Sequence, residues 1–218
     1  MPKQVTGCAA AVLSGGGDKM RLAVLGGTFD PIHNGHILMA EAALSRLNPT
    51  QVLFIPAGNP RFKENESVGD AAHRLKMVEL AIAGKPPFQL STMEIERGGV
   101  TYTVDTLREL KSGLEPQDEL FFIMGWGSLA ELPLWHKPAE IISLCRLIVV
   151  PRAGFPKPDL MQLEKDMRGL SERVIMLDEP QIEISSSDIR EKVRSGQDIR
   201  GLVPDAVADY IAEQGLYR

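Results

Sequence analysis

Short apolar runs alternate along this chain with longer segments of helical period. The runs "RLAVL" (21–25), "QVLFIP" (51–56), "FQLSTMEI" (88–95), "ELFFIMG" (119–125), "CRLIVV" (145–150) and "RVIML" (173–177) predict strands. Between them, "GHILMAEAALSRL", "DAAHRLKMVELAIAG", "YTVDTLRELKSG" and "KPAEIISL" place apolar residues three and four apart and predict helices. Strand then helix, repeated, predicts an α/β fold: a doubly wound parallel sheet with helices on both faces. The end of the chain, "SSSDIREKVRSGQ" followed by "PDAVADYIAEQGL", predicts a short C-terminal helical segment of two helices, the second opening near Pro204.

Composition narrows what such a sheet could serve. A chain of 218 residues, 44 % hydrophobic and 24 % charged, can bury one sizeable core. Residues 20–218 are therefore expected to form a single domain behind a flexible N-terminal extension, 1–19. A net charge of −5 argues against a broad basic face for nucleic acid or anionic lipid, so any phosphate site should be small and concentrated. No apolar run approaches the roughly 20 residues of a membrane span. Cys8 and Cys145 lie far apart, and Cys145 sits in the apolar "IISLCRLIVV", which predicts a reduced, buried thiol and a cytoplasmic protein.

The most chemically suggestive stretch, "VLGGTFDPIHNGH" (24–36), follows the first predicted strand. In doubly wound sheets ligands bind beyond the carboxyl ends of strands, where the strand order reverses. Gly26 and Gly27 would let a ligand approach the backbone, and Asn34 and Gly35 would open a helix whose free N–H groups favour an anion. Neither G-x-G-x-x-G nor G-K-[ST] is present, so His33 and His36 are the candidates for handling phosphate. The same two histidines could instead be a helix cap and a packed core group. Zinc lacks a Cys or carboxylate partner at the usual spacing, and no metal-ligating residue is assigned. "ISSSDIR" (184–190) is a serine-rich helix start with Arg190 one turn further in, an arrangement suited to phosphate oxygens but also an ordinary helix start.

"HNGH" preceded by "GGTFDPIH" resembles the H-x-G-H signature of the nucleotidyltransferase superfamily, and "ISSSDIR" resembles its second signature. "MEIERGGVTYTVDTLREL" (93–110), "FFIMGWGSLAELPLWHKPAEI" (121–141) and "LVPDAVADYI" are similar to the nicotinate mononucleotide adenylyltransferases. The resemblance runs from about Met20 to the C-terminus. It implies a Rossmann-like fold and transfer of the adenylyl group of ATP to nicotinate mononucleotide, giving deamido-NAD and pyrophosphate. It also implies catalytic roles for His33, His36 and Arg190, and ATP contacts at Gly26, Gly27, Phe29, Gly35, Gly125, Arg152, Ile184, Ser185, Ser186 and Ser187. Lys63, Thr103 and Trp135 are the implied mononucleotide contacts. Mg²⁺ is expected as the cofactor accompanying ATP, bridging phosphate oxygens with few protein ligands. The expected partners are these small molecules, neither nucleic acid nor membrane, with a homo-oligomer left open. One departure stands out: where the family usually has G-A-D-[SN]-L, this chain has "GWGSL" (125–129), so Gly127 replaces the aspartate and Trp126 the alanine. The alternatives are therefore another adenylyltransferase of the superfamily, or a nucleotide-binding module with impaired turnover.

Overall fold

A computed structural model describes residues 19–60 and 68–218. The expected extension lies outside the described residues as far as residue 18, together with Cys8. In chain order the strands are β1 (Arg21–Gly27), β2 (Gln51–Pro56), β3 (Asn59–Pro60), β4 (Phe88–Leu90), β5 (Val100–Thr101), β6 (Glu119–Gly125), β7 (Arg146–Val150) and β8 (Val174–Met176). The helices are α1 (Asn34–Leu47), α2 (Ala71–Ile82), α3 (Met93–Arg97), α4 (Thr103–Ser112), α5 (Trp126–Glu131), α6 (Pro138–Leu144), α7 (Leu160–Asp166), α8 (Leu170–Arg173), α9 (Ser186–Arg194) and α10 (Asp205–Gln214).

Six strands form one sheet in the order β4-β2-β1-β6-β7-β8, every neighbouring pair parallel, while β3 and β5 make a separate two-stranded ribbon. The inner strands are apolar without interruption because both of their faces are covered. Ala23 and Leu25 of β1, Val52 and Phe54 of β2 and Phe121 and Ile123 of β6 pack with Ile37 of α1, Met77 of α2, Ile189 of α9 and Val207 of α10. The residues between them, Leu22, Val24, Leu53, Ile55, Leu120 and Phe122, point the other way and meet Leu107 of α4, Leu129 of α5 and Ile141 of α6. Each such side chain withdrawn from water contributes roughly 1.5–3 kcal/mol, so the two faces lock the strand register.

One predicted element is corrected. The run 88–95 remains a strand only to Leu90, after which Ser91 N–H still donates to the Phe54 carbonyl at 2.9 Å and the chain turns into α3. Helical geometry there lets Met93 join the core while Glu94 turns to the Thr106 hydroxyl on α4. An extended chain would have sent these neighbours to opposite faces.

The chain leaves β1 toward β2 and β4, then crosses back to β6 on the other side. The carboxyl ends of β1 and β6 therefore face a crevice where successive connections diverge, the place where doubly wound sheets bind ligands. Gly26 and Gly27 end one strand and Gly125 the other.

Candidate active site

Two cavities open at that crevice. One, of about 600 Å³, is walled by Gly26, Gly27, Thr28, Glu94, Thr101 to Thr103, Thr106, Phe122, Trp135, His136 and Lys137. The other, of about 400 Å³, is walled by Phe29, His33, His36, Gly125, Arg152 and Ile184 to Ser187, among others. They share Gly26, Thr28, Phe122, Ser128 and Trp135, and so meet over the ends of β1 and β6.

The second cavity is built for an anion. His33 precedes α1 and is buried, and its ring stacks on His36 with centroids 3.7 Å apart and planes at 24°. His36 Nδ1 accepts the backbone N–H of His33 at 3.2 Å, which puts the ring proton on Nε2, the nitrogen left to donate to a ligand. His33 Nδ1 is buried without a partner among the described residues. Burial, with the nearby Arg152 cation adding to it, lowers the His33 pKa from 6.5 to about 4. His36 is pushed well below its ordinary value by burial first, then by His33 and Arg152. Both imidazoles are thus neutral N–H donors at pH 7, beside a permanent guanidinium.

Opposite them α9 begins. Ser185 caps it, its hydroxyl accepting from Asp188 N–H at 3.1 Å. Ser186 Oγ donates to the Pro31 carbonyl at 2.9 Å, tying the helix to the histidine loop, and Ser187 Oγ accepts from Arg190 at 3.4 Å. Only the Ser186 O–H is spent as a donor; the Ser185 and Ser187 hydroxyls accept and keep their own O–H, which together with the first amides of the helix is what this wall offers an anion.

The first cavity is aromatic. Trp135 meets Phe122 edge to face with centroids 6.2 Å apart, and Tyr102 lies against His136 at 4.3 Å. Thr103 is the first residue of α4 and lines this cavity. A flat cationic ring fits between such π-faces.

The structure gives three predicted positions partners of their own. Arg190 lies beside the phosphate cavity and is absent from its lining; its guanidinium donates to the Asp30 carbonyl at 2.7 Å. Gly35 is buried beneath the wall, where a Cβ would stand 2.7 Å from Ile182 and 2.9 Å from His33 Nδ1, so the packing there requires glycine. The Asn34 N–H is also taken, by the Leu202 carbonyl at 2.9 Å, which removes one of the amides expected to meet an anion. Lys63 lies outside the described residues.

Sequence reasoning missed the groups that hold the loops. Arg74, buried on α2, donates to the carbonyls of Gly69 (2.9 Å), Thr28 (3.0 Å), Ala57 (2.8 Å) and Gly58 (3.3 Å), gathering three segments around one cation. Asp30 is buried and receives Gly69 N–H at 3.0 Å and Tyr217 O–H at 2.6 Å. Glu94 accepts from Thr106 Oγ1 at 2.6 Å; burial raises its pKa, while the Thr106 and Thr101 hydroxyls and the Gly58 amide oppose that. An aspartate inside the apolar "TFDPI" and a glutamate in a half-apolar helix were the available signals.

Similarity to known proteins agrees with this geometry. A family model described as cytidylyltransferase-like matches residues 24–192. The protein named "Probable nicotinate-nucleotide adenylyltransferase" of Dehalococcoides mccartyi is 50 % identical over 198 residues, 91 % of this chain and 97 % of that protein. The chain belongs to the nicotinate-nucleotide adenylyltransferases of the cytidylyltransferase-like family. A relative of the same name from Geobacillus thermodenitrificans is 43 % identical over 201 residues, covering 90 % of this chain and 86 % of its own. In fold, the chain is similar to the Plasmodium falciparum nicotinic acid mononucleotide adenylyltransferase complexed with NaAD, with a TM-score of 0.73 at 22 % identity, covering 91 % of this chain and 97 % of that one.

Within the family the "GWGSL" departure leaves the cavities open. Trp126, the partly buried first residue of α5, packs against the core and lines neither of them. The space a side chain at Gly127 would take is filled by the Phe155 ring, 2.8 Å from the position of a Cβ.

Proposed function

We propose that this protein transfers the adenylyl group of ATP to the 5′-phosphate of nicotinate mononucleotide, releasing pyrophosphate and forming deamido-NAD. The observation that carries the reading is the pair of joined cavities, one aromatic and one lined by imidazoles, a guanidinium and helix amides, meeting over Gly26 and Trp135. Family membership supports the substrates, since relatives at 43–50 % identity are named for this activity.

The chemistry needs no covalent enzyme intermediate. The mononucleotide phosphate is already an anionic nucleophile and pyrophosphate a stable leaving group, so catalysis rests on alignment and charge neutralisation. The mononucleotide ring would sit between Trp135 and Tyr102, with Thr103 as a donor to its substituent. ATP would place its phosphates at His33, His36, Arg152 and the first amides of α9, and its ribose near Gly26, Gly125 and Ile184. His36 Nε2–H would donate to the α-phosphate as charge builds there. Arg190 would act indirectly, by holding the Asp30 carbonyl and so the turn that carries His33.

Mg²⁺ fits as a companion of the triphosphate. No carboxylate lines the phosphate cavity, and no cluster of three His, Cys, Asp or Glu among the described residues could hold a metal. The ion would be held by phosphate oxygens and water and would supply further neutralisation of the leaving group. A cytoplasmic setting fits the buried free thiol of Cys145, whose pKa burial raises to about 12, and no described helix is long and apolar enough to cross a membrane.

The test is pyrophosphate release with Mg²⁺ and ATP, comparing nicotinate mononucleotide, nicotinamide mononucleotide and phosphopantetheine at equal concentration. Preference for the first is the expected result. Turnover only with phosphopantetheine, or with none of the three, would overturn the reading.

A further inference from the structure

Arg152 is the only permanently charged side chain among the described residues of the phosphate cavity. Among the described residues its side chain has no ion pair and no hydrogen bond. Its backbone is well fixed: Ala153 N–H donates to the Ile182 carbonyl at 2.8 Å, and Ile182 N–H to the Pro151 carbonyl at 3.1 Å. The guanidinium lies over the Phe155 ring, whose centroid is 5.1 Å from Cζ. Phe155 is 41 % exposed, far more than a ring placed for core packing.

The ring is held from two directions. Phe155 N–H closes a turn onto the Arg152 carbonyl at 3.2 Å, through Gly154 at φ +79°. The ring edge lies over Gly127, where a Cβ would fall 2.8 and 2.9 Å from two ring carbons, closer than van der Waals contact permits. Gly127 lies in the first turn of α5 with ordinary helical dihedrals, where alanine is the better helix former. Glycine at this position is therefore explained by the ring it admits, not by the backbone.

We propose that Phe155 is a positioning residue: seated in the gap left by Gly127, its ring aims the Arg152 guanidinium at the phosphate oxygens of the bound nucleoside triphosphate. Gly127, Phe155 and Arg152 work as one unit. This rests on the reading of that cavity as the ATP phosphate site, and it adds the residues that set the geometry of its only fixed cation among the described residues.

The experiment measures KM for ATP, KM for nicotinate mononucleotide and melting temperature, with ATP affinity by equilibrium titration in parallel. The variants are Phe155→Ala, Phe155→Leu, Phe155→Tyr, Gly127→Ala and the double variant Gly127→Ala/Phe155→Ala. Phe155→Ala should raise the KM and Kd for ATP about fivefold, the size of an exposed cation–π contact, with the mononucleotide KM and melting temperature unchanged. Phe155→Tyr should restore the wild-type values and Phe155→Leu should not, since leucine fills space without a π-face. Gly127→Ala should weaken ATP binding while Phe155 is present and add nothing once the ring is gone. Wild-type ATP affinity in Phe155→Ala, full restoration by leucine, or an equal Gly127→Ala effect in both backgrounds would each overturn the proposal. If the unaltered protein binds ATP but turns over no mononucleotide, the functional reading fails while the titrations still decide the role of Phe155.

Discussion

A neutral imidazole beside a cation is the central residue-scale feature of this site. His33 takes up a proton near pH 4 in the folded protein and near 6.5 when unfolded, so between these values the unfolded chain binds more protons. Stability should therefore rise with pH through that window and fall on acidification, by on the order of 2 kcal/mol at pH 5 from this residue. Thermal melts at pH 7.5 and 5 check it, with His33→Phe expected to flatten the slope; a melting temperature equally pH-dependent in the variant would remove His33 as the cause. The proposed reaction gives His36 the catalytic part. His36→Ala should lower kcat by about 10²- to 10³-fold with a small change in KM, because its Nε2–H meets charge that develops only in the transition state. Steady-state kinetics decide this, and an unchanged kcat in a folded variant would exclude the role. Phe29 shows what the loop tolerates: it sits at φ 51°, a left-handed conformation costly for a bulky residue, and its ring meets His36 edge-on at 5.0 Å and Phe54 at 6.1 Å.

Elements remote in sequence close this site. The helix α10 packs on α2, where His73 Nδ1 and Tyr210 O–H share a hydrogen bond of 2.8 Å, and it delivers Tyr217 to Asp30. Asp30 in turn lies under the histidine turn that Arg190 of α9 grips from the other side. Tyr217→Phe removes one donor from a buried carboxylate and should cost about 1–3 kcal/mol of stability. It should also lower kcat/KM, since the turn carrying His33 loses an anchor. Denaturant unfolding and kinetics on the same preparation check both effects; full stability in the variant would show that water replaces the hydroxyl. Strong 3.6-residue and strand patterns made α1, α2, α4 and most strands of the main sheet legible in the sequence. The short α5 and α7 were not read from the sequence, whereas α6, equally short, was: over two turns or fewer a helix's own periodicity is too brief to decide by itself, and its neighbours set it.

Across the whole molecule, one sheet places two binding chambers at a single crevice. Because the chambers share Gly26, Thr28, Phe122, Ser128 and Trp135, a dinucleotide product must occupy both. Deamido-NAD should therefore inhibit competitively against ATP and against nicotinate mononucleotide alike; product-inhibition kinetics with a noncompetitive pattern against each would separate the chambers. The sequence by itself determined the parallel α/β architecture, since apolar runs alternating with amphipathic segments have few other ways to bury both faces. It also determined the histidine and serine signatures, which are local patterns. Tertiary structure alone decided that Arg190 grips a carbonyl beside the cavity, that Gly35 is a packing glycine, that Arg74 and Asp30 bind the loops together, and that Phe155 fills the space over Gly127. Those outcomes depend on which distant backbone atoms and rings come within a few ångströms of one another. Such proximity is a property of the closed fold that no spacing along the chain records.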